Sequence, residues 1–104
     1  MTAKVAYVLS DNEIMLDGLA LSDGTYQNDA TVTVTLYDSA GVEVTGESWP
    51  LSMAYVSASD GDYKATLADT LGVTENKKYR AVVTAVASSG LKRTFYATLN
   101  YIKG

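Results

Sequence analysis

The segment Ala30-Thr31-Val32-Thr33-Val34-Thr35-Leu36-Tyr37 alternates strictly. Ala30, Val32, Val34 and Leu36 fall on one face, and Thr31, Thr33, Thr35 and Tyr37 on the other. A period of two places successive side chains on opposite sides of a strand, so this reads as a strand with one buried and one wet face. Such a strand cannot stand alone; its apolar face must meet a second layer. The segment ends at Asp38-Ser39-Ala40-Gly41, where Gly supplies the positive φ of a turn, and Val42 to Val44 is predicted to pair back as a short hairpin arm.

The last hairpin fixes a register. Tyr79, Ala81, Val83, Ala85 and Ala87 share one face, and Leu91, Phe95, Ala97, Leu99 and Tyr101 share a face of the following strand. A three-residue loop, Ser88-Ser89-Gly90, pairs Ala87 with Leu91 and Val83 with Phe95 and brings both rows to the same side. A two-residue loop would slip the pairing by one residue and expose one row. Three-residue loops also want Gly at their left-handed position, where Gly90 sits.

Elsewhere the signals are shorter. Val5, Tyr7 and Leu9 alternate, as do Ile14 and Leu16; the first strand either pairs locally or reaches to a neighbouring molecule. Leu21 to Asp29 is polar and turn-like. Trp49 to Val56 is a strand, with Pro50 marking either a sheet edge or the strand's beginning. Ser59-Asp60-Gly61-Asp62 is a tight turn, after which Tyr63, Ala65 and Leu67 alternate. Asp69 to Val73 reads as a short helical turn, capped by Asp69 and ended by Gly72. No repeat, linker or low-complexity stretch interrupts this pattern. Residues 1–104 are therefore expected to form a single all-β domain, an antiparallel β-sandwich of about seven strands.

The composition removes most chemistry. With no His, the commonest general base and metal ligand is absent, and with no Cys there is neither a thiolate nucleophile nor a disulfide. The carboxylate pairs Asp60/Asp62 and Asp11/Glu13 are read as lying in exposed turns, where Asp is simply a good turn former. No phosphate-binding loop or nucleophile elbow occurs. The expectation is a non-enzyme without cofactors. Asp17, Asp23, Asn28 and Asp29 in one loop region, and Asp60 with Asp62 in another, are the candidate calcium ligands; neither matches an EF-hand, and solvated turn acids are expected.

Charge is unevenly distributed along the chain. The net charge is −4, which argues against nucleic acid as a partner. Up to Asp60 the only base is Lys4; beyond it lie Lys64, Lys77, Lys78, Arg80, Lys92, Arg93 and Lys103. Either the two halves interleave and the charges mix, or the surface is dipolar and steers association. No apolar run is long enough to span a bilayer, and the start lacks a signal peptide's apolar stretch, so no membrane partner is expected and the chain is read as used without export or exported as part of another assembly.

Eight Tyr and one Trp are many for so small a chain. Tyr63 and Tyr79 are expected in the core, and Tyr26, Tyr37 and Tyr96 on outer faces. Trp49 caps an open end of the core, contacts a partner or stacks on a sugar, in that order. On the outer face of the last hairpin, Val82, Val86 and Tyr96 interrupt Arg80, Thr84, Lys92, Thr94 and Thr98. An apolar stripe on a nominally wet face is a candidate docking patch. These residues, with Trp49 and Tyr26, are the candidate partner-binding set.

The stretch Leu71-Gly72-Val73-Thr74-Glu75-Asn76-Lys77-Lys78-Tyr79 resembles the tyrosine corner of Greek-key sandwiches, in which the phenol bonds to upstream backbone. Tyr79 would be the corner, with Val73 or Leu71 packing beneath it; the alternative is that Tyr79 is only a large core residue. Without the Cys pair of antibody domains, the fit is closer to fibronectin-like or to bacterial and phage immunoglobulin-like modules. The wider run from Asp23 to Val86, with Trp49-Pro50-Leu51, Tyr55-Val56, Gly61-Asp62-Tyr63 and Tyr79, resembles small immunoglobulin-like accessory proteins of tailed-bacteriophage virions. That resemblance implies a structural subunit, a capsid decoration or head–neck adaptor. It implies manufacture in the bacterial cytoplasm and residence in the virion. Its partners would be capsid, neck or tail subunits, in an oligomer or in many copies. The alternative is a carbohydrate- or cell-surface-binding adhesion module of a tail, baseplate or bacterial surface protein, for which Tyr26, Trp49 and Tyr96 are the glycan-facing candidates.

Overall fold

A computed structural model describes residues 4–7, 11–21 and 23–102. The strands are β1 (Lys4–Tyr7), β2 (Asn12–Leu16), β3 (Thr31–Tyr37), β4 (Leu51–Tyr55), β5 (Tyr63–Leu67), β6 (Lys77–Val86) and β7 (Lys92–Ile102). Leu9 and Lys103, read as part of a strand and of the basic half, lie outside the described residues. The fold is all-β and sandwich-like. The strands follow one another as β1-β7-β6-β3-β4-β5-β2 in a strongly curled sheet.

β4 makes the curl. Leu51, Ser52 and Met53 pair with β3, whereas Ala54 and Tyr55 pair with β5. One strand thus passes from the layer of β3, β6 and β7 to the layer of β2 and β5. The apolar rows of both layers meet inside: Val32, Val34 and Leu36 of β3, and Ala81, Val83 and Ala85 of β6, face Ile14 and Leu16 of β2 and Tyr63 and Leu67 of β5 in one buried cluster. Outward-facing partners on β3 are half-buried or exposed, as the alternation requires.

The β6–β7 register is the one predicted. Val83 pairs with Phe95, and the Ala87 N–H donates to the Leu91 carbonyl at 2.8 Å. Gly90 has a φ of 92°. The short arm after Gly41 is also present: Val44 N–H donates to Leu36, and Tyr37 bridges Glu43.

Several expectations need correction. β1 runs parallel to β7, Lys4 opposite Leu99 and Tyr7 opposite Ile102, so the sheet is not wholly antiparallel. A strand reached through a long connection rather than a hairpin is free to align either way, and here it covers the flank of β7 away from β6. Of the two readings of Pro50, the strand's beginning holds and the sheet edge does not: it directly precedes β4, which lies between β3 and β5, after a cis Trp49–Pro50 bond. Within Asp69 to Val73 there is no helical turn; the turn there is closed by Leu71 N–H donating to Ala68 O. Asp69 N–H is itself held by Asp11 Oδ1 at 2.8 Å. Gly72 is needed for closeness and not for a left-handed cap: its N–H donates to the Thr45 carbonyl, and a Cβ there would lie 2.2 Å from Thr45 Oγ1.

The polar segment after β2 is more deeply integrated than its sequence implies. Leu19 and Gln27 are buried. Leu19 N–H donates to Gly61 O, and Gln27 N–H donates to Leu19 O. Gly61, with a φ of 74°, lies so close to Leu19 that a Cβ would fall 2.5 Å from its carbonyl oxygen. Asn28 Oδ1 accepts from Gly61 N–H and Asp62 Oδ1 from Gly18 N–H, which locks the segment to the β4–β5 turn.

Candidate partner and ligand face

The outer face of β3, β6 and β7 is an ordered lattice of side chains. Cross-strand register produces four rows: Thr31–Val86–Lys92, Thr33–Thr84–Thr94, Thr35–Val82–Tyr96 and Tyr37–Arg80–Thr98. Eight of the ten sequence-predicted partner residues lie in these rows. Val86, at the end of β6, is 43% exposed, and Tyr96, in the middle of β7, is 52% exposed. Arg80 Cζ lies 4.9 Å from the centre of the Tyr96 ring. A cation over a phenol face at that distance gains about 0.5–1 kcal/mol when exposed.

Trp49 and Tyr26 are not part of this face. Trp49 is half-buried against the core, and its indole N–H donates to Val44 O at 2.7 Å. It caps the core, the first use expected of it. Tyr26 is 49% exposed but sits in the segment after β2, bridged to Ala20. The three aromatics proposed for glycan contact therefore do not converge.

A groove of about 690 Å³ crosses the lower rows, between the Asp38–Gly41 turn and β6–β7. Tyr37, Lys78, Arg80, Val82, Tyr96 and Thr98 line it, with Tyr79 and the turn residues Asp38, Ser39, Ala40 and Gly41. The turn is rigid: Asp38 Oδ1 accepts the N–H groups of Ala40 and Val42, and Gly41 N–H donates to Asp38 O. Tyr37 and Lys78 each have a readable sequence signal, an outward phase on their strands. Their meeting has none, because β3 and β6 are joined only through β4 and β5.

The bases and acids separate by structural role. Lys77, Lys78, Arg80, Lys92 and Arg93 sit on β6 and β7, whereas most acids sit in loops. Among the described residues the ion pair is Lys64–Glu13, at 4.0 Å and half exposed on both sides. The loop acids hold backbone. Asp23 Oδ1 accepts from Thr25 N–H at 2.9 Å, and that bond keeps its carboxyl below the usual range. Asp29 instead holds a side chain, its Oδ2 accepting from the Ser88 hydroxyl. Among the described residues no three His, Cys, Asp or Glu side chains come together to hold a metal.

The corner behaves as the Tyr79 reading requires. Its hydroxyl accepts from Thr74 N–H at 2.7 Å. Leu71 is buried in the core and Val73 packs against it. Tyr63 makes a second such tie, missed by sequence reading: its hydroxyl accepts from Ala30 N–H and donates to Gln27 O. Tyr101 contrasts with both. Its ring meets Tyr79 edge-on at 5.2 Å, but its buried hydroxyl has no hydrogen-bond partner among the described residues. Burial, and secondarily Tyr79, pushes the Tyr101 phenol up to about 12.

No protein-family model matches the chain, and no curated protein matches it. Among solved structures it is similar to a candidate glycoside hydrolase from Bacteroides vulgatus, at 13% identity and a TM-score of 0.48. The likeness covers 95% of this chain, which spans 16% of that protein's length.

Proposed function

We propose that the chain is an immunoglobulin-like, Greek-key sandwich that works as a non-catalytic structural subunit of a tailed-phage particle. It docks on other virion proteins through the outer face of β3, β6 and β7. The observation that carries the docking role is the upper part of that face. There Val86 and Tyr96 stand exposed among Thr84, Thr94 and Lys92 on the paired strands β6 and β7. Ordered apolar groups on a rigid sheet, ringed by polar ones, have the composition of a protein interface core and rim. The Tyr79–Thr74 corner supports the immunoglobulin-like reading. The phage setting rests on the residue pattern from Asp23 to Val86.

The test is mass spectrometry of purified particles from a phage that encodes the chain, with and without Val86→Asp. The chain is expected in wild-type particles and depleted at least tenfold by the substitution, with its melting temperature unchanged. Absence from wild-type particles would end the virion reading.

A further inference from the structure

We propose that copies of this chain join head to tail, the β2 edge of one copy pairing with the open edge of β7 in the next. The docking role uses the outer face of the sheet and a virion partner. This association uses two sheet edges and needs only the chain itself.

The β7 edge follows from register. β1 covers the flank of β7 away from β6 only from Leu99 to Ile102; from Lys92 to Thr98 no described strand pairs with that flank. Ala87 N–H donates to Leu91 O, so these two residues form a hydrogen-bonded pair in line with the β6–β7 register. Such pairs alternate along an antiparallel ladder. Arg93, Phe95 and Ala97 therefore turn their main-chain groups towards β6, and Lys92, Thr94, Tyr96 and Thr98 turn theirs outward. An unfilled ladder of this kind is a template for an added strand.

The far end of the sheet is open in the same way. β2 is the last strand, and among the described strands it pairs with β5 alone. Val56 N–H donates to Asp62 O in line with the β4–β5 register, so Lys64 bonds towards β4, and Tyr63, Ala65 and Leu67 towards β2. Their β2 partners are Leu16, Ile14 and Asn12, which leaves the main-chain groups of Glu13 and Met15 facing outward.

Charge makes the two edges partners of each other. Lys92 and Arg93 form no ion pair among the described residues, and Asp29 reaches their hairpin through Ser88. β2 carries Glu13, with Asp11 and Asp17 at its ends; the base beside it is Lys64, a half-exposed 4.0 Å from Glu13. Two β7 edges would set bases against bases, and two β2 edges acids against acids. The contact is therefore heterologous, and each copy presents both halves of it. Antiparallel pairing with Met15 opposite Thr94 places Asp17 opposite Lys92. The same register puts Glu13 opposite Tyr96, the ring on which Arg80 rests, and Ile14 opposite the half-buried Phe95. Cross-strand pairs of these kinds favour the joint.

The intact chain would be followed by sedimentation velocity from micromolar to millimolar concentration. Its mass should rise with concentration and fall back in high salt. Thr94→Pro and Met15→Pro each delete an N–H that points outward and spare the bonds to β6 and β5. Each alone should weaken self-association by roughly tenfold or more. Mixed, they should form a one-to-one pair, since one keeps its β2 edge and the other its β7 edge. Should a proline lower the melting temperature, Lys92→Glu and Glu13→Lys repeat the cycle, each weakening association alone and restoring it when mixed. A wild-type monomer at millimolar concentration overturns the proposal and leaves the β7 edge to another protein's strand. So does self-association that both variants retain, or a mixture that stays monomeric. Particle incorporation of a chain that stays monomeric would separate this proposal from the docking role.

Discussion

Three buried tyrosines let one chemical change, loss of a single hydroxyl, be read in three environments. In Tyr63→Phe, Ala30 N–H and Gln27 O both lose their partner, and Gln27 is only 7% exposed. An abandoned buried polar group costs about 1–3 kcal/mol, so the expected loss is roughly 2–4 kcal/mol. In Tyr79→Phe only Thr74 N–H is abandoned. Thr74 is exposed and water can replace the phenol, so the loss is about 1 kcal/mol. In Tyr101→Phe no hydrogen bond to a described residue is broken. The ring and its edge contact with Tyr79 remain, and a desolvated hydroxyl disappears, so stability is unchanged or rises by up to about 1 kcal/mol. For 104 residues, 1 kcal/mol corresponds to about 5 °C of melting temperature. Thermal melts by far-ultraviolet circular dichroism should therefore fall by roughly 10–20 °C, by about 5 °C and not at all. Equal losses in all three variants would refute the reasoning, since ring packing and not hydrogen bonding would then govern these sites.

Other perturbations have equally definite signs. Gly61→Ala, which forces a Cβ to within 2.5 Å of Leu19 O at positive φ, should cost more than about 3 kcal/mol; Gly90→Ala, with nothing within 4 Å, should cost only about 1 kcal/mol, both by urea denaturation. The Tyr101 phenol is neutral when folded and titrates near 12, against about 10 when unfolded. Its contribution is complete below about pH 10 and is lost as pH rises towards 12, so wild-type melts should drop across that window and Tyr101→Phe melts should drop less. Glu13→Gln removes only a half-exposed contact to Lys64 at 4.0 Å and should move stability by less than about 0.5 kcal/mol.

Legibility in the sequence followed the range of the interaction. The β6–β7 register could be read because its loop is short and two apolar rows had to share a side. The Tyr79 corner could be read because Thr74 lies five residues away. What escaped was set by distant backbone. The Gly61–Leu19 contact, the Gly72–Thr45 contact and the Tyr63 tie to Gln27 and Ala30 join segments whose local patterns carry no trace of one another. The parallel placement of β1 escaped for the same reason. The docking rows were half legible: outward phase on β6 and β7 named their members, but only the β3 register brought Tyr37 beside Arg80 and opened the groove.

The strand order also bears on how the chain reaches its fold. β1 meets β7 across 95 positions, from Lys4 to Leu99, and β2 meets β5 across 55, from Asn12 to Leu67. β6 and β7, in contrast, are closed by Ser88-Ser89-Gly90 alone. Loop-closure entropy must be met before remote pairings yield any return, so chains of this topology fold in milliseconds to seconds. The β6–β7 hairpin is the natural nucleus, with β3 adding next along its inner flank. Substitutions at Val83 or Phe95 should then slow folding, whereas those at Ile14 or Leu67 should chiefly speed unfolding. The hairpin that carries the docking face would be the first part of the molecule to take shape.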